Sequence, residues 1–268
     1  MQTLIGKMKI NILGGSGVMG QVHKPIFEAA GHEVIISGRN SAIGIVKAAR
    51  LSDLTIISVP ISATEETIRG IGPYCEGKAL MDFASIKAGP VNMMLRYTPE
   101  NCEVGGLHPL YGAVSSLEGR TVVYCPTERS GEKCKTLVQS LKSAGAKIKT
   151  MTPEDHDYVV NGKFQNARVA LFGSFAQLIA ETGLSINEIY ELSPPPTKIL
   201  LDLIARQYDP SNDTLYASML AENLRTKEIK ELLTERMSSL GSPEEIRNLF
   251  GEELKVAQER AKKLIEIR

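Results

Sequence analysis

One short stretch near the start, residues 14–20 (GGSGVMG), limits what this chain can fold into more than any other. Within it Gly15, Gly17 and Gly20 stand in the order Gly-x-Gly-x-x-Gly. That spacing alone is weak, because glycines recur by chance; its setting is what informs. It follows a short apolar run, 9–13 (KINIL), and opens a stretch of helical spacing over 18–30. In such a strand–turn–helix unit Gly15 allows the tight turn, Gly17 lets a pyrophosphate approach the backbone, and Gly20 lets the helix pack close to the sheet. The helix N-terminus then offers free N–H groups and a positive dipole end to phosphates. Ser16 and Met19 complete the loop as candidate cofactor contacts.

The alternation continues. Apolar runs at 33–37 (EVIIS), 54–59 (LTIISV), 78–82 (KALMD), 104–107, 121–125 (TVVYC) and 147–150 read as strands. Helical spacing fills most of the gaps, notably 63–71, 89–97 and 131–144. Strands alternating with helices predict a doubly wound α/β domain, a parallel sheet covered on both faces. From Pro153 onward no convincing strand is found, and apolar periodicity runs through 159–179, 199–208, 215–233 and 246–267. "TPED" at 152–155 and "SPEE" at 242–245 are helix starts: an N-cap hydroxyl, Pro at the first position, acids in the first turn. The expected division is therefore 1–151, a dinucleotide-binding domain, and 152–268, an all-helical domain that binds substrate and pairs with a second copy.

Composition excludes other classes. With 31 basic and 31 acidic residues, the chain lacks the basic footprint of a nucleic-acid binder. No apolar run reaches the roughly 20 residues of a membrane span. The four cysteines show no CxxC spacing, so neither a metal site nor a redox motif is expected; reduced thiols in a cytoplasm are. The N-terminus does not read as a secretory signal, and Met8 is a possible alternative start.

Ligands of such sheets bind beyond the carboxyl ends of the strands. After the second strand, dinucleotide sites that take NAD carry an acid; this chain reads Ser37, Gly38, Arg39, Asn40. A hydroxyl and a fixed cation suit a 2′-phosphate, which favours NADP over NAD, although Arg39 is also readable as a solvated loop residue. Val59 and Pro60 end the third strand beside the expected dinucleotide. "DFASIK" (82–87) follows the fourth strand and "GGLHPLYG" (105–112) the fifth. There two glycines and Pro109 frame His108 at the mouth of the cleft, where a group that titrates near neutrality can take a proton from a hydroxyl. A histidine simply packed at a strand end is the alternative.

Together "GGSGVMG", "DFASIK" and "GLHPLYG" resemble the prephenate/arogenate dehydrogenase family, whose members make the last or penultimate intermediate of tyrosine synthesis. The similarity covers nearly the whole chain. Residues 106–112 match the family's Gly-x-His-Pro-x-x-Gly segment; Asp82, Ser85 and Lys87 match its Asp-x-x-Ser-x-Lys segment; 192–206 and 213–223 resemble its arginine-bearing substrate helix. The resemblance implies a Rossmann domain holding NADP, with NAD possible, and oxidative decarboxylation of prephenate, or of arogenate, by a stand-alone cytoplasmic homodimer. It implies His108 as base, Ser85 bonding the hydroxyl or the imidazole, and Arg206 gripping a carboxylate, with Lys198 where many relatives carry another arginine. One departure stands out. Relatives carry a second histidine beyond "EHD" in the first long helix; here Lys163, Gln165, Asn166 and Arg168 occupy that neighbourhood, as substrate contacts or, for the amides, as groups that orient His108. His156, from "EHD" itself, is expected to be structural. Two rivals remain open: a β-hydroxyacid dehydrogenase with Lys163 as general acid and Asn166 one turn on, and a nucleotide-binding module without chemistry.

Overall fold

The computed structural model describes residues 6–209, 221, 226–239, 241–249 and 251–266. The chain forms two compact units, Met1–Thr226 and Lys227–Arg268. The first is built on a sheet of seven strands: β1 (Lys9–Leu13), β2 (Glu33–Ser37), β3 (Leu54–Ile57), β4 (Ala79–Asp82), β5 (Glu103–Pro109), β6 (Thr121–Pro126) and β7 (Lys147–Thr150). Their order is β2-β1-β3-β4-β5-β6-β7. Helices α1 (Val18–Ala29), α2 (Ile45–Leu51), α3 (Ile61–Ile71), α4 (Ala88–Tyr97) and α5 (Glu132–Ser143) cover it. Because both faces are covered, β3 and β4 are buried at every residue and need no polar alternation. Two apolar clusters result. One holds Ile10, Ile12, Phe27, Ile56, Met81 and Leu107; the other holds Leu13, Ile57, Ile68, Leu80, Val91 and Val104.

The sheet is parallel from β2 through β5, but β6 runs antiparallel to β5, with His108 opposite Val123. The wholly parallel sheet expected from alternation is corrected at this edge. Residues 110–120 carry no helix, and a parallel return needs a crossover of a dozen residues or more, so the chain comes straight back. With α5 as a crossover, β7 then pairs parallel to β6.

Beyond Thr150 every described element is helical. Thr152 caps α6 (Pro153–Asp155), accepting from the Asp155 N–H at 3.0 Å. There follow an eleven-residue π-helical segment, His156–Asn166, then α7 (Ala167–Ala180), α8 (Ile186–Leu192) and α9 (Pro195–Gln207). Ordinary α spacing was expected here; the π segment is a departure from it. Further on lie α10 (Thr226–Ser238), α11 (Pro243–Asn248) and α12 (Leu254–Glu266). Reciprocal capping by Ser185 with Glu188 starts α8, and by Ser242 with Glu245 starts α11. Part of the helix expected over 215–233 lies outside the described residues.

Candidate active site

The strand register sets the floor of the site. Leu13, Ser37, Ile57, Asp82 and Gly106 lie level across the sheet; β1 to β4 end there, while β5 runs on to Pro109. The tight turn after β1 belongs to Gly14 rather than Gly15: Gly14 has φ +85°, and a Cβ there would sit 2.2 Å from the Ser58 carbonyl oxygen. Gly15 is small for another reason, since a Cβ would meet Ile36 Cδ1 at 2.5 Å and the Ile12 oxygen at 2.8 Å. A Cβ on Gly20 would lie 2.2 Å from Gly15 Cα, so α1 rests directly on the loop. At Gly17 a Cβ would meet only the Gly14 oxygen, at 3.3 Å, and otherwise face open space. A cleft of about 620 Å³ opens there, lined by Ser16, Gly17 and Gln21 on one side and residues 113–115 on the other. This cradle fits a dinucleotide pyrophosphate: backbone exposed, helix N-terminus aimed in, no side chain in the way.

The loop after β2 is only partly as expected. Ser37 is buried in the sheet and donates to Asn11 Oδ1 at 2.8 Å, so its hydroxyl is turned away from any ribose phosphate. Arg39 and Asn40 are exposed, on a loop ordered by Ser41, which accepts from the Gly38 N–H at 2.9 Å. Met19 is half-buried, and its carbonyl oxygen lies 2.7 Å from His23 Nδ1. Val59 packs near Gly14, and Pro60 is exposed at the start of α3. The other nitrogen of His23 lies 3.0 Å from the Tyr111 hydroxyl, which ties α1 to the segment just after β5. Burial lowers the His23 pKa to about 4, so this pair is neutral.

At the end of β5 side chains take over. His108 is 5% exposed. Its Nδ1 lies 2.8 Å from His156 Nε2, and His156 Nδ1 lies 2.8 Å from Asp157 Oδ1. Asp157 in turn accepts from the first backbone N–H groups of α4: Lys87 at 2.7 Å on Oδ1, Ala88 at 2.9 Å on Oδ2. Beneath this row the Lys87 ammonium, fully buried, donates to Asp82 Oδ2 and, at 2.8 Å, to the Leu107 carbonyl oxygen. Burial raises the Asp82 carboxyl above the ordinary carboxylate range, against the pull of Lys87. Burial, then His156 and Lys87, push His108 well below the usual 6.5; burial also lowers His156, against the pull of Asp157. His108 is therefore a neutral imidazole near pH 7. Among the described residues the buried unpartnered polar atoms are Asp82 Oδ1, Gln165 Oε1, Asn166 Oδ1 and both amide atoms of Gln207. His108 Nε2 is not one of them and has no hydrogen bond among the described residues, which leaves it open to a ligand.

The structure brings some expected residues here and not others. Ser85 stands half-buried on the loop between Asp82 and Lys87, its carbonyl oxygen accepting from Asn161 Nδ2 at 3.2 Å. Neither Gln165 nor Asn166 orients His108: Asn166 donates to Thr226 at 3.0 Å, and His156, expected to be structural, bonds the imidazole instead. Lys163 is exposed with its ammonium 4.4 Å from the Tyr158 ring centre, while Asn166 is buried, so the lysine–asparagine pair of the hydroxyacid reading does not form. Lys198 is half-buried in the first turns of α9 and Arg206 exposed in its last; α9 packs on α7 as Tyr208 donates to the Val169 oxygen at 2.9 Å. Sequence reasoning missed Asp157 and Asn161 beside His156, and a signal exists for Asn161 alone. His156, Asn161 and Asn166 recur every five residues and are all buried, the period of i→i+5 bonding rather than of an α-helix. Among the described residues no cluster of three metal-ligating side chains occurs, and no helix is long and apolar enough to cross a membrane.

Comparison with known proteins agrees with this layout. Residues 18–150 match the family described as "Prephenate dehydrogenase, nucleotide-binding domain". A probable arogenate/prephenate dehydrogenase of Methanocaldococcus jannaschii is 30% identical over 242 residues, 84% of this chain and 54% of that protein. The T-protein of Haemophilus influenzae is 29% identical over 229 residues, 84% of this chain and 59% of that one. The chain thus spans little more than half the length of these relatives. In fold it resembles the prephenate dehydrogenase of A. aeolicus crystallised with hydroxyphenyl propionate and NAD+ (TM-score 0.69, 22% identity, 98% of this chain and 99% of that one). It likewise resembles Synechocystis arogenate dehydrogenase (TM-score 0.68, 21% identity, 97% and 100%). With its glycine cradle and its histidine at the fifth strand, the chain matches over residues 18–150 the nucleotide-binding domain of the prephenate dehydrogenase family, and over most of its length it is similar to arogenate/prephenate dehydrogenases.

Proposed function

We propose that this chain oxidatively decarboxylates prephenate to 4-hydroxyphenylpyruvate, with His108 as the base that takes the ring hydroxyl proton; arogenate is the alternative substrate. The observation that carries the reading is the state of His108: neutral, anchored through Nδ1, and with Nε2 open beyond the carboxyl edge of the sheet. The hydroxyl proton moves to Nε2, the carbon that bears the hydroxyl gives up hydride, carbon dioxide leaves as the ring becomes aromatic, and the proton returns from Nε2 to the phenolate oxygen. A bound nicotinamide dinucleotide supplies the hydride acceptor. The chain's part is to hold and aim. Gly15, Gly17 and Gly20 are assigned to present backbone to the pyrophosphate, and Ser85, on the loop between Asp82 and Lys87, is assigned to bond the hydroxyl. Arg206, with Lys198 two turns earlier on α9, is assigned to a substrate carboxylate.

NADP is the proposed cofactor and NAD the alternative. With Ser37 turned inward, the preference rests on Arg39 and on the missing acid after β2. Residues 152–268 are assigned to substrate closure and to homodimerisation, since Ile186 and Leu192 stand 59% and 74% exposed. All four cysteines are free thiols, consistent with a cytoplasmic protein. The test is a two-by-two rate assay, prephenate and arogenate each with NADP and NAD, run beside light scattering. Absence of turnover in all four combinations would remove the catalytic reading; a monomer at micromolar concentration would remove the dimer.

A further inference from the structure

We propose that His156 and Asp157 are positioning residues that fix the tautomer of His108, so that the lone pair stands on Nε2. This rests on the reading of His108 as base and deepens it. Each hydrogen can be placed in turn along a chain of short contacts. Asp157 is tied to the N-terminus of α4, its two oxygens accepting from the Lys87 and Ala88 N–H groups at 2.7 and 2.9 Å, where the free donors and the dipole favour a negative charge. A carboxylate only accepts, so the hydrogen of the 2.8 Å contact belongs to His156 Nδ1. A neutral imidazole carries one N–H, so His156 Nε2 is an acceptor. The hydrogen of the next 2.8 Å contact therefore sits on His108 Nδ1. That leaves the lone pair of His108 on Nε2, the nitrogen with no partner among the described residues.

The same chain serves the charged state. A buried imidazole is a poor base, and Lys87 nearby makes it poorer. When His108 takes a proton, its Nδ1–H bond to His156 tightens, and the Asp157 carboxylate faces the new charge through one ring. Among the described residues the titratable and charged groups around His108 are His156 and Asp157 on the π segment, Asp82 and Lys87 between β4 and α4, and Cys125 on β6, whose thiol donates to the Thr152 carbonyl oxygen. Among them only Asp157 is a carboxylate bonded to the relay; Asp82 is matched to Lys87.

A purely structural role, capping α4, predicts something different, and the experiment separates the two. Wild type, His108→Asn, His156→Gln, His156→Leu and Asp157→Asn are compared by kcat, KM, the pH dependence of kcat/KM, and long-range ¹H–¹⁵N spectra of the histidine rings without cofactor. In Asp157→Asn the NH₂ that replaces Oδ1 donates to His156 Nδ1, while the amide oxygen keeps the Ala88 N–H and the Lys87 N–H loses its acceptor. That reverses every hydrogen in the chain and places one on His108 Nε2. The expected loss in kcat is about 10²–10⁴-fold, with KM moved far less. The acid limb of the profile moves to lower pH, because the imidazolium has lost its carboxylate. The His108 spectrum changes from an Nδ1–H to an Nε2–H tautomer. His156→Gln, whose side-chain oxygen reaches where Nε2 stood, keeps the wild-type tautomer and stays within about tenfold of wild-type kcat, whereas His156→Leu falls with Asp157→Asn. If His156→Leu fails to fold, the Gln and Asn variants decide. Folded Asp157→Asn protein with wild-type kcat, pH profile and His108 tautomer would overturn the positioning role, even with His108→Asn inactive. An active His108→Asn overturns the base reading instead, and the ring spectra still report on the relay.

Discussion

The two ends of the cleft are built in opposite ways. At the glycine loop the working surface is backbone, and what matters is what is missing: a Cβ at Gly14 or Gly20 would lie 2.2 Å from main-chain atoms. The glycines themselves all come from one βα unit. At the end of β5 the working surface is side chain, and what matters is where hydrogens sit. Its members, Asp82, Lys87, His108, His156 and Asp157, come from three separate parts of the chain. The contrast teaches that recognition of a common ligand can be local, while proton chemistry needs groups held apart until the fold brings them together. The first end fails by steric overlap, the second by a misplaced charge.

The contrast can be broken at several points, the largest effect first. His108→Asn should lower prephenate turnover by about 10²–10⁴-fold while leaving dinucleotide binding intact, measured by steady-state rates and fluorescence titration. Parallel loss of both would mean the two ends are not separable. Lys87→Met strands a fully buried Asp82 and should reduce unfolding free energy by about 3–5 kcal/mol in urea melts. Asp82→Leu combined with Lys87→Met should recover most of that, since the desolvated charges leave together.

His23 and Tyr111 join the two ends, and the joint should respond to acid. The folded-state pKa of His23 is lowered from 6.5 to about 4, so the unfolded chain binds this proton first as pH falls. Its contribution is intact above pH 6.5 and is lost between 6.5 and 4, in all about 3 kcal/mol. Urea midpoints of wild type and His23→Gln across that window should show a shallower decline in the variant. Gly20→Ala should cost about 1–3 kcal/mol and weaken NADP binding, sparing the ring spectra of His108. Smallest is Arg39→Asp, expected to move the NADP/NAD preference by about tenfold toward NAD. An unmoved ratio would take Arg39 out of the cofactor site.

How much was legible follows the same division. The doubly wound sheet and the cradle were readable because glycine spacing and apolar runs act over a few residues. His108 was readable from its frame of glycines and proline. Ser37 misled, because a strand's period of two, not its place in the motif, decides which way a hydroxyl points, and here it points at Asn11. The antiparallel β6 was hidden in a connection with no helix in it. His156 was read as structural and Asp157 went unmarked, because their partners, His108 and the start of α4, lie far off in the sequence. In residues 156–166 the wider turn leaves just the five-residue recurrence of His156, Asn161 and Asn166 as its trace, and the packing of Asn161 on the Ser85 carbonyl and of His156 on His108 settles it.

That wider turn makes the catalytic end sensitive to arithmetic as well as to chemistry. Each residue of an α-helix advances the chain by about 100°. Removing one amino acid between Asp157 and Asn166 would let the coil tighten, swinging whichever end is less firmly held around by a quarter-revolution or more. Replacing side chains one at a time would never expose this dependence, because every such variant keeps the count the same.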